Sequence, residues 1–263
     1  PLSGAKTPPP DANVLLGPAP GPANYWMANG ASIGVCQGAG AGKYLAQWMV
    51  HGATDINMAE FDPRRFGDWA DKDYVTALSI VDYQHMYYCY RHGEQHMDKR
   101  PLRTSSLYDR LKDRGAQFQA VFGGERARWF STDGSGEDYS FRRSNWFDVV
   151  AEECQAVRET AGLMDLTTFA KFDVKGKDAE SFLERICANR SPKKVGGIML
   201  GHLIKEGGRI ESEITVTRLG EEHFYVLSAA VAQLHDMDAL RWRRSKDEVV
   251  TITDVTDDFG VLA

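Results

Sequence analysis

A run of small residues near the amino terminus could let a backbone approach a flat or anionic ligand. Gly38-Ala-Gly-Ala-Gly-Lys43 has glycine at every second position. A phosphate-binding P-loop needs glycine five residues before its Gly-Lys pair and Ser or Thr after it. The chain has Gln37 and Tyr44 at those places, so the match fails. The spacing also departs from the GxGxxG of dinucleotide-binding turns.

The glycine-rich loop predicted from Gly34 to Gly42 still has a physical reason to bind a ligand. Small residues permit close approach of the backbone. The helix predicted from Lys43 to His51 directs free N–H groups and its positive end toward whatever lies above that loop. This suits an anionic group, including the N1–C2=O edge of a reduced flavin. Close packing of a helix on a strand would use the same residues, so both interpretations stay open.

Two histidines four residues apart, His92 and His96, could share a metal ion if they lay on a helix. Gly93 weakens a helix, and Glu94 does not directly follow the first histidine as in zinc proteases. No third ligand is evident. We interpret this stretch as a solvated helix end and predict no metal site.

A pair of acids, Glu211 and Glu213, follows a Gly207-Gly208 turn. Strand alternation predicts both carboxylates on one face and Ser212 and Ile214 on the other. Paired carboxylates can perform acid–base chemistry, but on a strand they more often form a hydrated surface.

Composition limits the kinds of protein to consider. The 263 residues are 43% hydrophobic, enough for a core, and the net charge is −6. A mildly acidic chain has no general attraction for phosphate backbones, so we expect no nucleic-acid partner. No apolar run approaches the roughly 20 residues that span a bilayer. The four cysteines form no CxxC pair, which predicts reduced thiols in an intracellular protein.

The elements that must position these residues fall into two groups. The first has βα units: a strand at 24–28, helices at 43–51, 74–92 and 105–113, and a strand-like stretch at 118–130. The second is α+β with antiparallel strands. Its predicted helices are 148–160, 178–188 and 230–241, and its strands are 163–166, 171–174, 199–205, 210–218, 224–228 and 249–255. A further strand begins near Phe259 with an unpaired edge, so we expect a piece of a longer polypeptide.

Three successive stretches resemble the dimethylglycine and sarcosine dehydrogenase family. Residues 13–48 resemble the end of a D-amino-acid-oxidase-like FAD domain, on Gly17-Pro-Ala-Pro-Gly21, Asn24-Tyr25 and Gly30 to Gln47. Residues 83–130 resemble the family's central domain, on Arg100-Pro-Leu-Arg-Thr-Ser-Ser-Leu-Tyr-Asp-Arg-Leu111. From Trp146 the chain resembles the folate-binding aminomethyltransferase domain of the glycine-cleavage T-protein type. That match rests on Gly162-Leu-Met-Asp165, Phe172-Asp-Val174 and Gly208 to Val216.

The resemblance implies a multidomain α/β and α+β fold. Residues 1–60 would be the C-terminal part of the FAD-dependent oxidoreductase domain, and 61–118 its central domain. Residues 119–263 would be the first half of the aminomethyltransferase folate domain.

The resemblance also implies oxidative N-demethylation of a small N-methylated amino acid. FAD would take a hydride equivalent from the N-methyl carbon, and tetrahydrofolate would capture the resulting one-carbon unit. Electrons would pass to an electron-transfer flavoprotein or to oxygen. The matching FAD-contacting residues are Ser32, Ile33, Gly34, Val35 and Cys36. The matching folate residues are Glu213, which would also be catalytic, Tyr225 and Leu227.

Departures from the family keep two other functions open. Glu213 stands for a family Asp and Ala229 for a family Asn, while the GxGxxG turn and the amine-side residues would lie before residue 1. We therefore expect neither activity, and no tight FAD or folate binding, from these residues alone. The alternatives are a stand-alone folate-dependent aminomethyltransferase and a non-catalytic folate-type binding module. The expected compartment is the bacterial cytoplasm or the mitochondrial matrix.

Overall fold

The computed structural model describes residues 8–205 and 207–263. The chain divides into two compact units, one running up to Leu163 and the other covering Met164–Ala263. In the parts of the chain that the structure describes, every helix is too short or too polar to cross a membrane.

The first unit begins with a two-stranded antiparallel hairpin, β1 (Leu15–Pro18) and β2 (Trp26–Asn29), followed by helix α1 (Gly34–His51). The prediction of a loop from 34 to 42 was wrong, because those residues form the first half of α1. Glycine costs roughly 1 kcal/mol relative to alanine inside a helix. Packing offsets this cost, since Tyr44 and Trp48 of α1 pack against the small core around β1.

Helix α2 (Lys72–His85) begins at Asp71, whose carboxylate accepts a hydrogen bond from the Tyr74 amide at 2.8 Å. It ends seven residues before the predicted end at 92, and the predicted solvated helix end at 92–96 is a turn followed by irregular chain. His85 packs against the rings of Tyr88, Tyr90 and His96. The contacts with Tyr90 and His96 need the chain to fold back after His85, which a continued helix would prevent.

The rest of the first unit is α3 (Tyr108–Asp113), a hairpin of β3 (Ala116–Val121) and β4 (Gly124–Phe130), and α4 (Trp146–Glu159). The strand-like stretch predicted at 118–130 is this hairpin. Helix α4 agrees with the predicted helix at 148–160 to within two residues. Its Glu153 accepts a hydrogen bond from the Phe130 amide at 3.1 Å, which joins the helix to β4.

The elements of the second unit are β5 (Ala170–Lys175), α5 (Ala179–Ile186), β6 (Ile198–Ile204), β7 (Ile210–Gly220), β8 (His223–Ser228), α6 (Gln233–Arg243) and β9 (Thr251–Asp254). The five strands form an antiparallel sheet in the order β6-β7-β8-β5-β9, and helices α5 and α6 pack on its core face. Alternation along the strands turns Phe172, Val216 and Val226 into this core. The strands and helices predicted for this region from 171 to 255 are confirmed to within a few residues.

The last residues of the chain pair with the start of the second unit. The Met164 amide donates to Ala263 O at 2.8 Å, and the Ala263 amide donates to Met164 O at 3.1 Å. The Leu166 amide also donates to Val261 O at 2.8 Å. The prediction that residues 259–263 form an unpaired edge is therefore wrong, because their backbone bonds to the stretch at 163–166.

Candidate functional site

The predicted folate residues lie on one face of the sheet. Val216 of β7 and Val226 of β8 are fully buried in the core. Glu213, Tyr225 and Leu227 alternate with the core residues and therefore lie on the opposite side, which we call the outer face. In the β7–β8 register Leu227 is opposite Thr215 and Tyr225 is opposite Thr217. The structure thus brings together residues that are up to 14 positions apart in the sequence.

Glu213 presents its carboxylate to solvent beside a histidine. Its side chain is 62% exposed, and its Oε2 lies 3.2 Å from His202 Nε2. His202 is its directly opposite partner on β6. A carboxylate in this setting can accept a hydrogen bond from a ligand N–H while the histidine limits its rotamers. The sequence patterns did not point to His202, and only the β6–β7 register could have revealed it.

Glu211 does not share this face, so the prediction that both acids lie on one face of the strand was wrong. The register shifts from Leu203–Ser212 to Ile204–Ile210, which leaves Glu211 as the extra residue of a β-bulge. Its side chain is 14% exposed and its carboxylate binds the Arg243 guanidinium on α6. The bulge turns Glu211 out of the strand alternation and toward α6.

A buried carboxylate lies beneath the outer face. Asp236 of α6 accepts hydrogen bonds from Ser212 Oγ at 2.7 Å and from Ser228 Oγ. Its Oδ1 is 2.7 Å from His235 Nδ1, and the other ring nitrogen of His235 is 3.8 Å from Glu211 Oε1. The sequence signal for this cluster is two serines at core-facing positions of β7 and β8, which need polar partners when buried.

Tyr225 is flanked by an ionised group on β5. Asp173 is opposite Tyr225, and its carboxylate lies 2.9 Å from His223 Nε2 and 2.5 Å from Lys175 Nζ. Burial raises the pKa of Asp173, but the hydrogen bonds from His223 and Lys175 have the larger combined effect, so its pKa is lowered. Burial and the charge of Asp173 raise the pKa of Tyr225, so its phenol stays neutral. The Tyr225 ring, with Phe259 at 6.3 Å edge to face, offers an aromatic surface to a flat ligand.

The predicted FAD residues lie together in the first unit, at the start of α1. Ile33 is the N-cap and makes no side-chain capping hydrogen bond, and the first turn carries no acidic residue. Val35 is fully exposed. Ser32 Oγ is buried and has no hydrogen-bond partner within the described residues. Amides of a helix start that are not capped by a side chain can bind an electron-rich group, which fits the edge of a flavin ring.

No group of three or more His, Cys, Asp or Glu side chains able to hold a metal ion occurs among residues 8–205 and 207–263. His92 and His96, whose spacing raised the question of a metal, lie in the irregular stretch after α2.

Two family models match the chain in succession. The FAD dependent oxidoreductase central domain matches residues 51–105, and the GCVT N-terminal domain matches residues 107–263. The second match covers more than half of the chain.

Curated relatives cover nearly the whole chain. Mitochondrial dimethylglycine dehydrogenase of Mus musculus is 35% identical over 99% of this chain and 30% of its own length. Mitochondrial sarcosine dehydrogenase of Homo sapiens is 25% identical over 97% of this chain and 32% of its own length. The mitochondrial pyruvate dehydrogenase phosphatase regulatory subunit of Mus musculus is 29% identical over 96% of this chain and 30% of its own length.

A solved structure is also similar. The glycine cleavage system aminomethyltransferase T from Bartonella henselae has a TM-score of 0.49 and 22% identity, covering 59% of this chain and 38% of that one. The chain spans about a third of the length of its curated relatives. On these matches the chain belongs to the family of the GCVT N-terminal domain, with an FAD dependent oxidoreductase central domain directly before it, and it is similar over nearly its whole length to dimethylglycine and sarcosine dehydrogenases.

Proposed function

We propose that the whole protein to which this chain belongs is an FAD-dependent oxidative N-demethylase that passes a one-carbon unit to tetrahydrofolate. The observation that carries this proposal is the outer face, where Glu213, Tyr225 and Leu227 lie together within the region that the GCVT N-terminal domain model matches. When bound, FAD supplies the oxidising group and tetrahydrofolate supplies the nucleophile for the one-carbon unit.

On the outer face, each residue has a distinct part. The exposed Glu213 carboxylate would accept a hydrogen bond from a folate N–H and hold that nitrogen in place. Tyr225 and Leu227 would contact the flat ring and exclude water from one side of it. An exposed acid beside an aromatic and an aliphatic side chain is a suitable set of groups for a polar heteroaromatic ligand.

At the start of α1, Ser32, Ile33, Gly34, Val35 and Cys36 would contact the flavin. Support comes from the uncapped first turn, from the buried Ser32 hydroxyl and from the oxidoreductase domain matched directly downstream. Under this proposal residues 1–60 end a D-amino-acid-oxidase-like FAD domain, 61–118 form the central domain, and 119–263 begin the folate domain. Residues 1–263 alone would then have neither activity.

The substrate would be a small N-methylated amino acid, and the electron acceptor an electron-transfer flavoprotein or oxygen. The names of the dimethylglycine and sarcosine dehydrogenases place those relatives in mitochondria. A mitochondrial matrix protein is therefore the preferred assignment, with the bacterial cytoplasm as the other compartment that suits free thiols.

A second candidate is a non-catalytic folate-type binding module. It is favoured by the similarity to the pyruvate dehydrogenase phosphatase regulatory subunit and by Ala229 at the place of a family Asn. A stand-alone aminomethyltransferase, the third candidate, would need no flavin.

One experiment separates these candidates. The purified whole protein is mixed anaerobically with dimethylglycine, sarcosine or glycine, and flavin absorbance is followed. The proposal expects bleaching by an N-methylated amino acid and none by glycine. With tetrahydrofolate added, the product should change from formaldehyde to 5,10-methylene-tetrahydrofolate. Bound flavin that no N-methylated amine reduces would favour the binding module, and the absence of flavin would favour the transferase.

A further inference from the structure

A buried carboxylate beneath the outer face joins three elements of the second unit. Asp236 of α6 is 0% exposed. Its two carboxylate oxygens accept hydrogen bonds from Ser212 of β7, Ser228 of β8 and the neighbouring His235. Burying a carboxylate is costly unless hydrogen bonds replace its water. The three donors offset that cost, so the cluster is a satisfied network and not an accident of packing.

The two serines are immediate neighbours of the candidate folate residues. Ser212 precedes Glu213 on β7, and Ser228 follows Leu227 on β8. Since successive residues of a strand point to opposite faces, the serines enter the core while Glu213 and Leu227 face outward. A shift of either serine would therefore move the adjacent site residue by a similar amount.

Glu213 lies where β7 and β8 are no longer paired, so another contact must hold the two strands together there. The register between β7 and β8 begins at the Thr215–Leu227 pair, so Glu213 lies beyond it. On this stretch β7 is paired with β6, where Glu213 is opposite His202. The Asp236 carboxylate connects Ser212 to Ser228 from the core side, and so joins β7 to β8 where their register has ended.

We infer that Asp236 is a positioning residue, which fixes the Glu213 carboxylate relative to Tyr225 and Leu227 and thereby sets the affinity for a folate. The inference rests on the proposed function, because it concerns the same site. Its physical basis is that functional groups must be placed to within a fraction of an ångström, since misplacing one by about an ångström can lower a reaction rate by about a hundredfold.

A purely structural hub would have different consequences. It would lower stability when removed and weaken folate binding by the same factor whether or not Glu213 is present. A positioning residue acts through Glu213, so its effect disappears once that carboxylate is gone. A double-mutant cycle measures this difference.

The test uses the whole protein and the binding of 5-formyltetrahydrofolate, followed by titration calorimetry. The variants are Asp236→Ala, Glu213→Gln and the double variant. We expect each single change to weaken binding by about tenfold, and the double variant to match Glu213→Gln within about twofold. Asp254→Ala is the control, because Asp254 also binds α6, through Gln233 at 2.8 Å, and lies on β9. It should lower the melting temperature without changing the dissociation constant by more than about twofold.

If Asp236→Ala does not fold, Ser212→Ala decides, since it removes one hydroxyl and should show the same coupling to Glu213→Gln. Independent effects in the cycle, or unchanged affinity in a folded Asp236 variant, would overturn the inference and leave the proposed function intact. A wild-type protein that binds no 5-formyltetrahydrofolate would overturn both.

Discussion

Glu213 and His202 face each other across β7 and β6, with Oε2 of the acid 3.2 Å from Nε2 of the imidazole. The pair joins the most exposed acid of the candidate site to the strand at the edge of the sheet. The histidine therefore restrains a side chain that would otherwise sample several rotamers in solvent, and this restraint is the basis of a first prediction.

Replacing His202 by leucine should weaken folate binding by a few fold, because a hydrogen bond to a charged group at a partly exposed site contributes on the order of 1 kcal/mol. Replacement by glutamine, which keeps a donor, should restore most of the affinity. Titration with 5-formyltetrahydrofolate measures both variants. Equal affinity of the leucine variant and the wild type would show that Glu213 needs no partner on β6.

The lowered pKa of Asp173 predicts that the free energy of unfolding depends on pH in the acid range. Burial raises its pKa, but hydrogen bonds from His223 and Lys175 outweigh this and hold the pKa below its ordinary value. A depressed pKa in the folded state means that the stabilisation is present above the unfolded-state pKa of about 3.9 and is lost as the pH falls through the folded-state value.

We therefore expect wild-type stability to decline more steeply than that of Asp173→Asn below about pH 4. Urea unfolding of wild type and Asp173→Asn at several pH values between neutrality and acid measures this difference. Parallel curves for wild type and Asp173→Asn would contradict the expectation.

The strands of the second unit could be predicted because one face is core and the alternation is strong. Val216 and Val226 are buried while the residues on either side of them are only partly buried, and that period appears in the sequence. The early start of α1 could not be predicted from the sequence. Helix propensity disfavours Gly38 and Gly42, and the packing around Trp48 outweighs that low propensity.

The geometry of the candidate site could be predicted in part for a similar reason. Tyr225 and Leu227 follow from strand alternation and family resemblance, whereas the place of Glu211 depends on a bulge that alternation does not reveal. Asp236 and His202 reach the site through helix packing and strand register, which are tertiary properties. The end of α2 depends likewise on the ring contacts of His85.

The thiols predict a selective labelling pattern. Burial raises the pKa of Cys187 to about 11, so almost none of it is thiolate at neutral pH. Cys154, on α4, is exposed. Iodoacetamide followed by peptide mass spectrometry should therefore modify Cys154 in the native protein and Cys187 only after unfolding in urea. Rapid native labelling of Cys187 would show that α5 opens locally.

Lys171 provides the last prediction, since it is a fully buried cation on β5. Its Nζ donates to Thr167 O and to Thr256 O, both at 2.7 Å, and so joins the segment before β5 to the segment after β9. Methionine has a similar shape but cannot donate to either carbonyl. Leaving the buried Thr256 carbonyl and the partly buried Thr167 carbonyl without this donor should lower the free energy of unfolding by about 2–4 kcal/mol.

Lys175→Met is the matched control, because Lys175 lies on the same strand with its side chain 52% exposed. An exposed ion pair contributes at most about 1 kcal/mol, so this variant should stay close to wild type. Urea unfolding of the whole protein, monitored by tryptophan fluorescence, compares the two. If Lys171→Met were as stable as Lys175→Met, the two carbonyls would have to gain water or other donors, and the lysine would not be what holds these segments together.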